Sequence, residues 1–258
     1  MTPHAERLGT TLVVTPYHRE PRHLIERCVA SVAGQTMPVD HILVADGHPQ
    51  AWIDDLPVRH IRLDRAHANF GNTPRAIGMM LGIAEGYGAI APLDADNWLD
   101  PDHVAECRGA AARVEHCDYV IAGRRFCRPD GSVMPVPEEP IDRHVDTSCF
   151  YFLPSSYWLL PLWGTMPNPV SPLCDRVFYH AIRARGLQAA MTERPTVNFN
   201  VTVRGFFTEL GEEPPPEAKD PPDFGAIQGW IDGLDDRQLA DAARRAGVAL
   251  LRGPQPPQ

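Results

Sequence analysis

Lysine is almost absent from this sequence: Lys219 is the only one, and every other cationic side chain is an arginine. Arginine suits bidentate contact with phosphate, but genomic composition explains the skew equally well, and it assigns nothing by itself. Any excess of positive charge is also lacking. The formal net charge of −9 argues against a dedicated nucleic-acid binder and gives no basic face for an anionic membrane. No apolar run is long enough to span a bilayer, because the most apolar stretch, Cys149 to Trp163, is broken by Pro154, Pro161 and two serines. Met1 to Gly9 has no apolar core, so no signal peptide is expected. The six cysteines form no C-x-x-C pair, and the spacing of Cys107, Cys117 and Cys127 by ten fits no usual zinc pattern. They read as reduced, buried thiols of a cytoplasmic protein. Also missing are G-x-G-x-x-G and G-x-x-x-x-G-K-[ST], which removes the main support for a dinucleotide dehydrogenase or a P-loop enzyme.

What is present is a chain of 258 residues, 43% hydrophobic, with ample material for a core. Thr11-Leu-Val-Val14 reads as a strand stopped by Thr15-Pro16. Pro21 opens a helix with Leu24, Cys28 and Val32 on one stripe, ended by Gly34. His41 to Ala45 and His60 to Leu63 read as strands. Thr73-Pro74 begins a helix that Gly86 and Gly88 terminate. Ala89 to Leu93 is a strand, and Asp100-Pro101 caps and opens a helix to about His116. Short links between alternating strands and helices over the first ~120 residues predict a mostly parallel α/β sheet covered by helices. Beyond it, Asp118 to Ala122 reads as a strand, Val133 to Pro140 as a Pro-rich loop and Val145 to Leu153 as a strand. Pro172 to Arg185 reads as a helix and Thr196 to Val201 as a last strand.

Glu212 to Asp223 holds five prolines and five acidic residues in twelve positions, a composition that cannot bury a core and reads as a linker. Ala226 to Leu251 has helical spacing. It reads as an appendage folded back onto the body or as a contact for a second copy of the chain. The organisation expected is a domain over 1–211, a linker over 212–225 and a helical tail over 226–258.

The most informative residues are Leu93-Asp94-Ala95-Asp96-Asn97-Trp98, where an apolar strand ends in two carboxylates one residue apart. Alternation along a strand would bring Asp94 and Asp96 to one side. Convergent carboxylates there suit a hard divalent cation, Mg²⁺ or Mn²⁺, shared with phosphate oxygens. A polar turn is the plain alternative. Ligands of open α/β sheets sit outside the carboxyl ends of the strands, and other polar clusters fall at such ends. Thr15-Pro16-Tyr17-His18-Arg19 follows the first strand and Asp46-Gly47 the second. Asn69-Phe70-Gly71-Asn72-Thr73-Pro74-Arg75 enters the helix before the acidic strand.

With these motifs the chain resembles the family two glycosyltransferases of GT-A fold over roughly residues 10 to 205. The resemblance is carried by Val13 to Arg19, Cys28 to Thr36, Val44-Ala45-Asp46-Gly47, Asn69-Phe70-Gly71 with Arg75, and the Asp94-Ala95-Asp96 triplet. It implies a single GT-A-type domain and a nucleotide-sugar donor, usually a uridine diphosphate sugar. By position, Thr15, Pro16 and Tyr17, with Arg19 behind them, would border the uracil, and Asp46 would accept its imide proton. Asn69, Gly71 and Arg75 would lie near the base or phosphates, Asp94 and Ala95 at the ribose, and Asp96 on the metal. Each has a structural alternative: a strand stop for Thr15-Pro16, a turn for Asp46-Gly47, a solvated helix charge for Arg75.

In the second half, Pro172-Leu-Cys174-Asp175 resembles the segment in which an acidic residue opening a helix deprotonates the acceptor hydroxyl. Many relatives have two acidic residues where this chain has Cys174-Asp175. A helix-dipole partner is the plain reading of Asp175. Asp146 is the rival base or an acceptor contact, because a carboxylate starting an apolar strand needs a cleft or a cation. His144 and His180 could be ligands or bases, but a lone histidine is more often structural. Trp163 could stack on an acceptor sugar or belong to the core.

The function expected is metal-dependent transfer of a hexosyl unit to a hydroxyl of a glycan, a lipid-linked or a small acceptor. The family resemblance implies inversion. The rivals are a sugar nucleotidyltransferase, which usually needs a Gly-rich basic loop that Thr15 to Pro21 lacks, and a non-catalytic nucleotide-binding module of the same fold.

Overall fold

The first strand, β1 (Thr11–Tyr17), is buried at every position and has a parallel neighbour on each side. In this computed structural model, residues 7–137, 140–142 and 144–253 are described. Parts of the expected N-terminus, of the Pro-rich loop before Pro140 and of the tail beyond Gly253 lie outside them. Strand β1 continues through Thr15-Pro16, where a stop is expected. Its pairing with β2 (Val39–Ala45) runs to Tyr17, whereas pairing with β4 (Ala89–Pro92) ends at Val14. Past Val14 one side of β1 is unpaired, which is where a strand tolerates a residue with no N–H.

Among the described residues the sheet has eight strands in the order β3-β2-β1-β4-β7-β6-β8-β5. β3 (Arg59–Arg62) lies parallel to β2, and β6 (Tyr119–Cys127) lies parallel to β8 (Ala189–Asn200). β7 (Phe150–Phe152) is antiparallel to both β4 and β6, and β5 (Trp98–Leu99) is antiparallel to β8. The expected α/β architecture, a mostly parallel mixed sheet flanked by helices, is the one observed.

Helix α1 (Arg22–Ala33) buries Ile25, Cys28, Val29 and Val32 and ends at Gly34. Helix α2 (Asn72–Glu85) crosses β1 so closely that glycine is required at the contact. A Cβ on Gly78 would lie 2.4 Å from Val14 Cγ1, and one on Gly82 would lie 2.5 Å from Leu12 Cδ2. Helix α3 (His103–Ala112) starts later than expected. Asp100 does not cap it, because its carboxylate accepts from Arg125 Nη1 and Asn198 Nδ2, both at 2.8 Å. The strand expected from Val145 is delayed to Phe150 by a 3-10 turn, Thr147–Cys149, which Asp146 caps through Ser148 N. Two 3-10 turns (Pro154–Leu159 and Asn168–Leu173) flank the short α4 (Leu162–Thr165). Helix α5 (Cys174–Arg183) then starts two residues after the expected Pro172, which belongs to the preceding turn.

After α6 (Arg204–Glu209) the Pro/acidic segment has no helix or strand of its own but is tied to the body. Arg128 Nε donates to Glu212 at 2.8 Å, Lys219 N donates to Thr202 O at 2.7 Å, and Ala218 is buried. Helices α7 (Phe224–Asp232) and α8 (Asp236–Ala246) fold back: Ile227 and Ile231 join the main hydrophobic cluster, and Arg245 Nε donates to Thr165 O at 3.0 Å. Asp235 and Gln238 form a reciprocal capping box that starts α8. None of the six cysteines is disulfide-bonded to another. Among the described residues no helix is long and apolar enough to cross a membrane.

Candidate active site

A cavity of about 350 Å³ opens at the carboxyl ends of β1, β2 and β4. Pro16, Tyr17, Asp46, Gly71, Arg75, Asp94, Ala95 and Asp96 all line it, as the sequence placed them. The acidic pair converges for a reason other than strand alternation. Strand β4 has ended by Pro92, and Asp94 to Asn97 form a turn closed by Asn97 N to Asp94 O at 3.0 Å. The turn is braced from below by Ser148 Oγ, which accepts from Asp94 N (3.2 Å) and Asn97 Nδ2 (2.9 Å).

Arg75 is no solvated helix charge: it is 2% exposed and donates to Asp94 Oδ1 at 2.7 Å and to Asn72 Oδ1 at 3.1 Å. Its guanidinium also lies over the Trp163 ring, 4.8 Å from the centroid. Burial draws its pKa down, but Asp94, with Cys174 and Asp146, offsets this, so the net movement is upward. Burial also lifts Asp96 to about 7; Asp94 adds to the rise and Lys219 opposes it.

Asp46 organises the wall facing the acidic turn. Its carboxylate accepts from His67 N (2.8 Å), His67 Nδ1 (3.0 Å) and Ala68 N (3.1 Å). These bonds hold a loop in which Ala68 and Phe70 take left-handed backbone, φ 49° and 56°, before Gly71 at 77°. Left-handed backbone costs a non-glycine residue about 1–2 kcal/mol, so the loop needs such an anchor. Gly71 has no room for a side chain either, since a Cβ would lie 3.0 Å from Pro16 Cγ. The ring of Phe70 is 64% exposed at the rim.

Four expected contacts lie outside this cavity. Thr15 is buried beneath it, its hydroxyl 2.9 Å from His41 Nε2, and acts as an interior brace. Arg19 turns away to His48 and borders a neighbouring hollow of about 430 Å³. Asn69 caps the entry to α2 through Thr73 N and Oγ1. Trp163 is fully buried, stacked on Phe178 with centroids 4.6 Å apart, and has no face for an acceptor sugar. Its link to the site is through Arg75.

The base candidates lie on the second half of the sheet, outside the cavity. Asp175 is in the first turn of α5, and its Oδ2 is 2.6 Å from His144 Nε2. Asp146 is buried, with Arg124 Nη1 3.9 Å away. Burial raises the Asp146 carboxyl to about 6, against the pull of Arg124, with Asp94 and Asp175 pushing in the same direction as burial. His144 was legible only as a lone histidine; its pairing with Asp175 spans 31 positions. Lys219, the sole lysine, carries no local signal of a site because it sits in a segment of linker composition, yet it lines the cavity with Asp96. His18, Glu20, Ala68, Phe70 and Pro74 complete the lining.

Among the described residues no three metal-ligating side chains cluster into a cage. Asp94 is engaged by Arg75, so Asp96 is the ready protein ligand. That donor set fits a Mg²⁺- or Mn²⁺-like ion that takes its remaining oxygens from phosphate and water.

The family model described as glycosyl transferase family 2 matches residues 12–165. No curated protein matches the chain. Among solved structures, TarS of S. aureus, residues 1–349, in complex with UDP is similar at 12% identity and a TM-score of 0.56, over 92% of this chain and 70% of that one. The same protein in complex with UDP-GlcNAc gives 10% identity and a TM-score of 0.53, over 92% and 71%. The longer TarS structure gives 12% and 0.52, with 43% of that chain covered. At these identities the likeness is one of fold.

Proposed function

This chain belongs to glycosyl transferase family 2, and from that membership we propose that it moves a sugar from a uridine diphosphate sugar to a hydroxyl acceptor with inversion. The observation that carries the donor side is the convergence, in one cavity, of the Asp46-anchored loop, the Arg75–Asp94 pair and Asp96. The loop supplies a wall for a base, with the exposed Phe70 as aromatic surface. The carboxylates suit ribose hydroxyls and a cation. Complexes of the structural neighbour with UDP and UDP-GlcNAc support a nucleotide-sugar donor.

Asp96 would hold the divalent ion, which when bound supplies charge to offset that of the leaving diphosphate. Arg75 fixes the orientation of Asp94 beside the donor. Asp175 takes the acceptor proton, and His144 orients its carboxylate. Asp146 holds the acceptor side, close enough to feel the charges of both Asp94 and Asp175. The domain of residues 1–211 would carry the acceptor site and most of the donor site, with Lys219 of the following segment completing the cavity lining. The test is calorimetric titration with UDP and a panel of UDP-sugars in Mn²⁺, followed by donor-hydrolysis and transfer assays. Absence of nucleotide binding overturns the reading. Binding without hydrolysis or transfer to any acceptor favours a non-catalytic module.

A further inference from the structure

The cavity that receives the donor is lined by four carboxylates, Glu20, Asp46, Asp94 and Asp96, so a diphosphate entering it needs positive charge from the protein. The charge of Arg75 is already matched at 2.7 Å by Asp94. Lys219 is the other cation of fixed charge in the lining, and its ammonium forms no ion pair among the described residues. It lies well beyond residues 12–165, in the segment whose composition reads as a linker.

Its position is not accidental to a loose chain. Lys219 N donates to Thr202 O at 2.7 Å, and its own carbonyl accepts from Arg204 N at 2.8 Å. A parallel bridge joins Val203 and Lys219. Prolines 214–216 and 221–222 stiffen both flanks, and Arg128 ties down Glu212 at the start of the segment. The backbone is therefore held while the side chain is exposed toward the cavity, which keeps the ordering cost of a salt-bridged ammonium small.

The geometry points to Lys219 as the protein's own cationic contact to the diphosphate of the donor, delivered by the strap of residues 212–223. This rests on the nucleotide-sugar reading above and adds to it the residue that discriminates a nucleoside diphosphate from a nucleoside. The ammonium meets the phosphate oxygens from the strap side, and it stabilises the diphosphate as the bond to the sugar breaks.

The test compares uridine and UDP binding to the full chain, as parent, Lys219→Met and Lys219→Arg, by calorimetry in Mg²⁺. Loss of one charge-assisted contact should weaken UDP about tenfold or more while leaving uridine affinity unchanged, and Lys219→Arg should recover most of the loss. The strap's hydrogen bonds come from the backbone, so melting temperatures should not move. Equal UDP affinity in the parent and Lys219→Met overturns this inference and leaves the donor reading standing. A parent that binds neither uridine nor UDP overturns both.

Discussion

His144 Nε2 and Asp175 Oδ2 are 2.6 Å apart, joining the loop before β7 to the first turn of α5. The pair fixes one carboxylate oxygen and leaves α5 as a rigid support. A positioned carboxylate base contributes on the order of 10²–10⁴-fold in rate. Asp175→Asn should therefore lose about that much turnover with UDP affinity intact, and Asp146→Asn should lose less. His144→Gln should lower turnover by a smaller factor and alter the pH profile, because it keeps a hydrogen bond but no titrating ring. Normal rates in all three variants would send the proton elsewhere; collapse in Asp146→Asn alone would exchange the two roles.

Asp96→Ala removes the ready metal ligand. Isothermal titration should show UDP affinity rising with Mn²⁺ in the parent and losing that gain in the variant. Equal metal dependence in both would assign the cation to other ligands.

Asp46→Ala should act on stability and binding together. The part-buried backbone amides of His67 and Ala68 lose their acceptor, at about 0.5–1.5 kcal/mol for the lost hydrogen bonding, or a few degrees of melting temperature per kcal/mol in a chain of this size. The base-facing wall is then no longer held, and UDP affinity falls. A variant with parental Tm and parental affinity would make Asp46-Gly47 a plain turn.

Truncation after Gly211 should be damaging. It strips Ile227 and Ile231 from the main cluster and removes the partner of Thr165 O. We expect a lower Tm, dye binding to uncovered apolar surface, and weakened UDP binding because Lys219 leaves with the tail. A cooperative, parent-like melt would show that residues 1–211 fold alone.

Acid should destabilise the fold through two histidines buried in the neutral form. Burial lowers His41 to about 3, and burial likewise lowers His103 to about 4 despite the nearby Asp100 and Asp102. With unfolded values near 6.5, the unfolded chain binds these protons first. The stability they contribute is present above pH 6.5 and is lost as pH falls toward 3. The loss is about 1.4 kcal/mol per pH unit for each histidine inside its window. Urea midpoints between pH 7 and 4 should show the slope, and His41→Asn should reduce it.

The first half of the molecule was legible in its sequence because its signals are local. Gly34 and Gly86 end α1 and α2 where read, and the acidic turn follows β4. Where the reading slipped, a distant partner decided. Asp100 looked like a helix cap until Arg125 and Asn198 claimed it, and Thr15 looked like a nucleotide contact until His41 did. The strap shows the same thing for composition: prolines and acids cannot build a core, but they can lie along one and carry Lys219 to the cavity.

The contact of α2 with β1 works as a gauge of fixed thickness. Gly78 and Gly82 set how near the helix lies to Val14 and Leu12, and the first turn of the same helix carries Arg75 to Asp94. A methyl group added at Gly82, far from any polar atom of the site, would lift the helix as a lever. The error would be read at the other end as a guanidinium out of reach of its carboxylate. The tolerance of the donor cavity is thus set in a wholly apolar seam, where a change so small would pass for a harmless one.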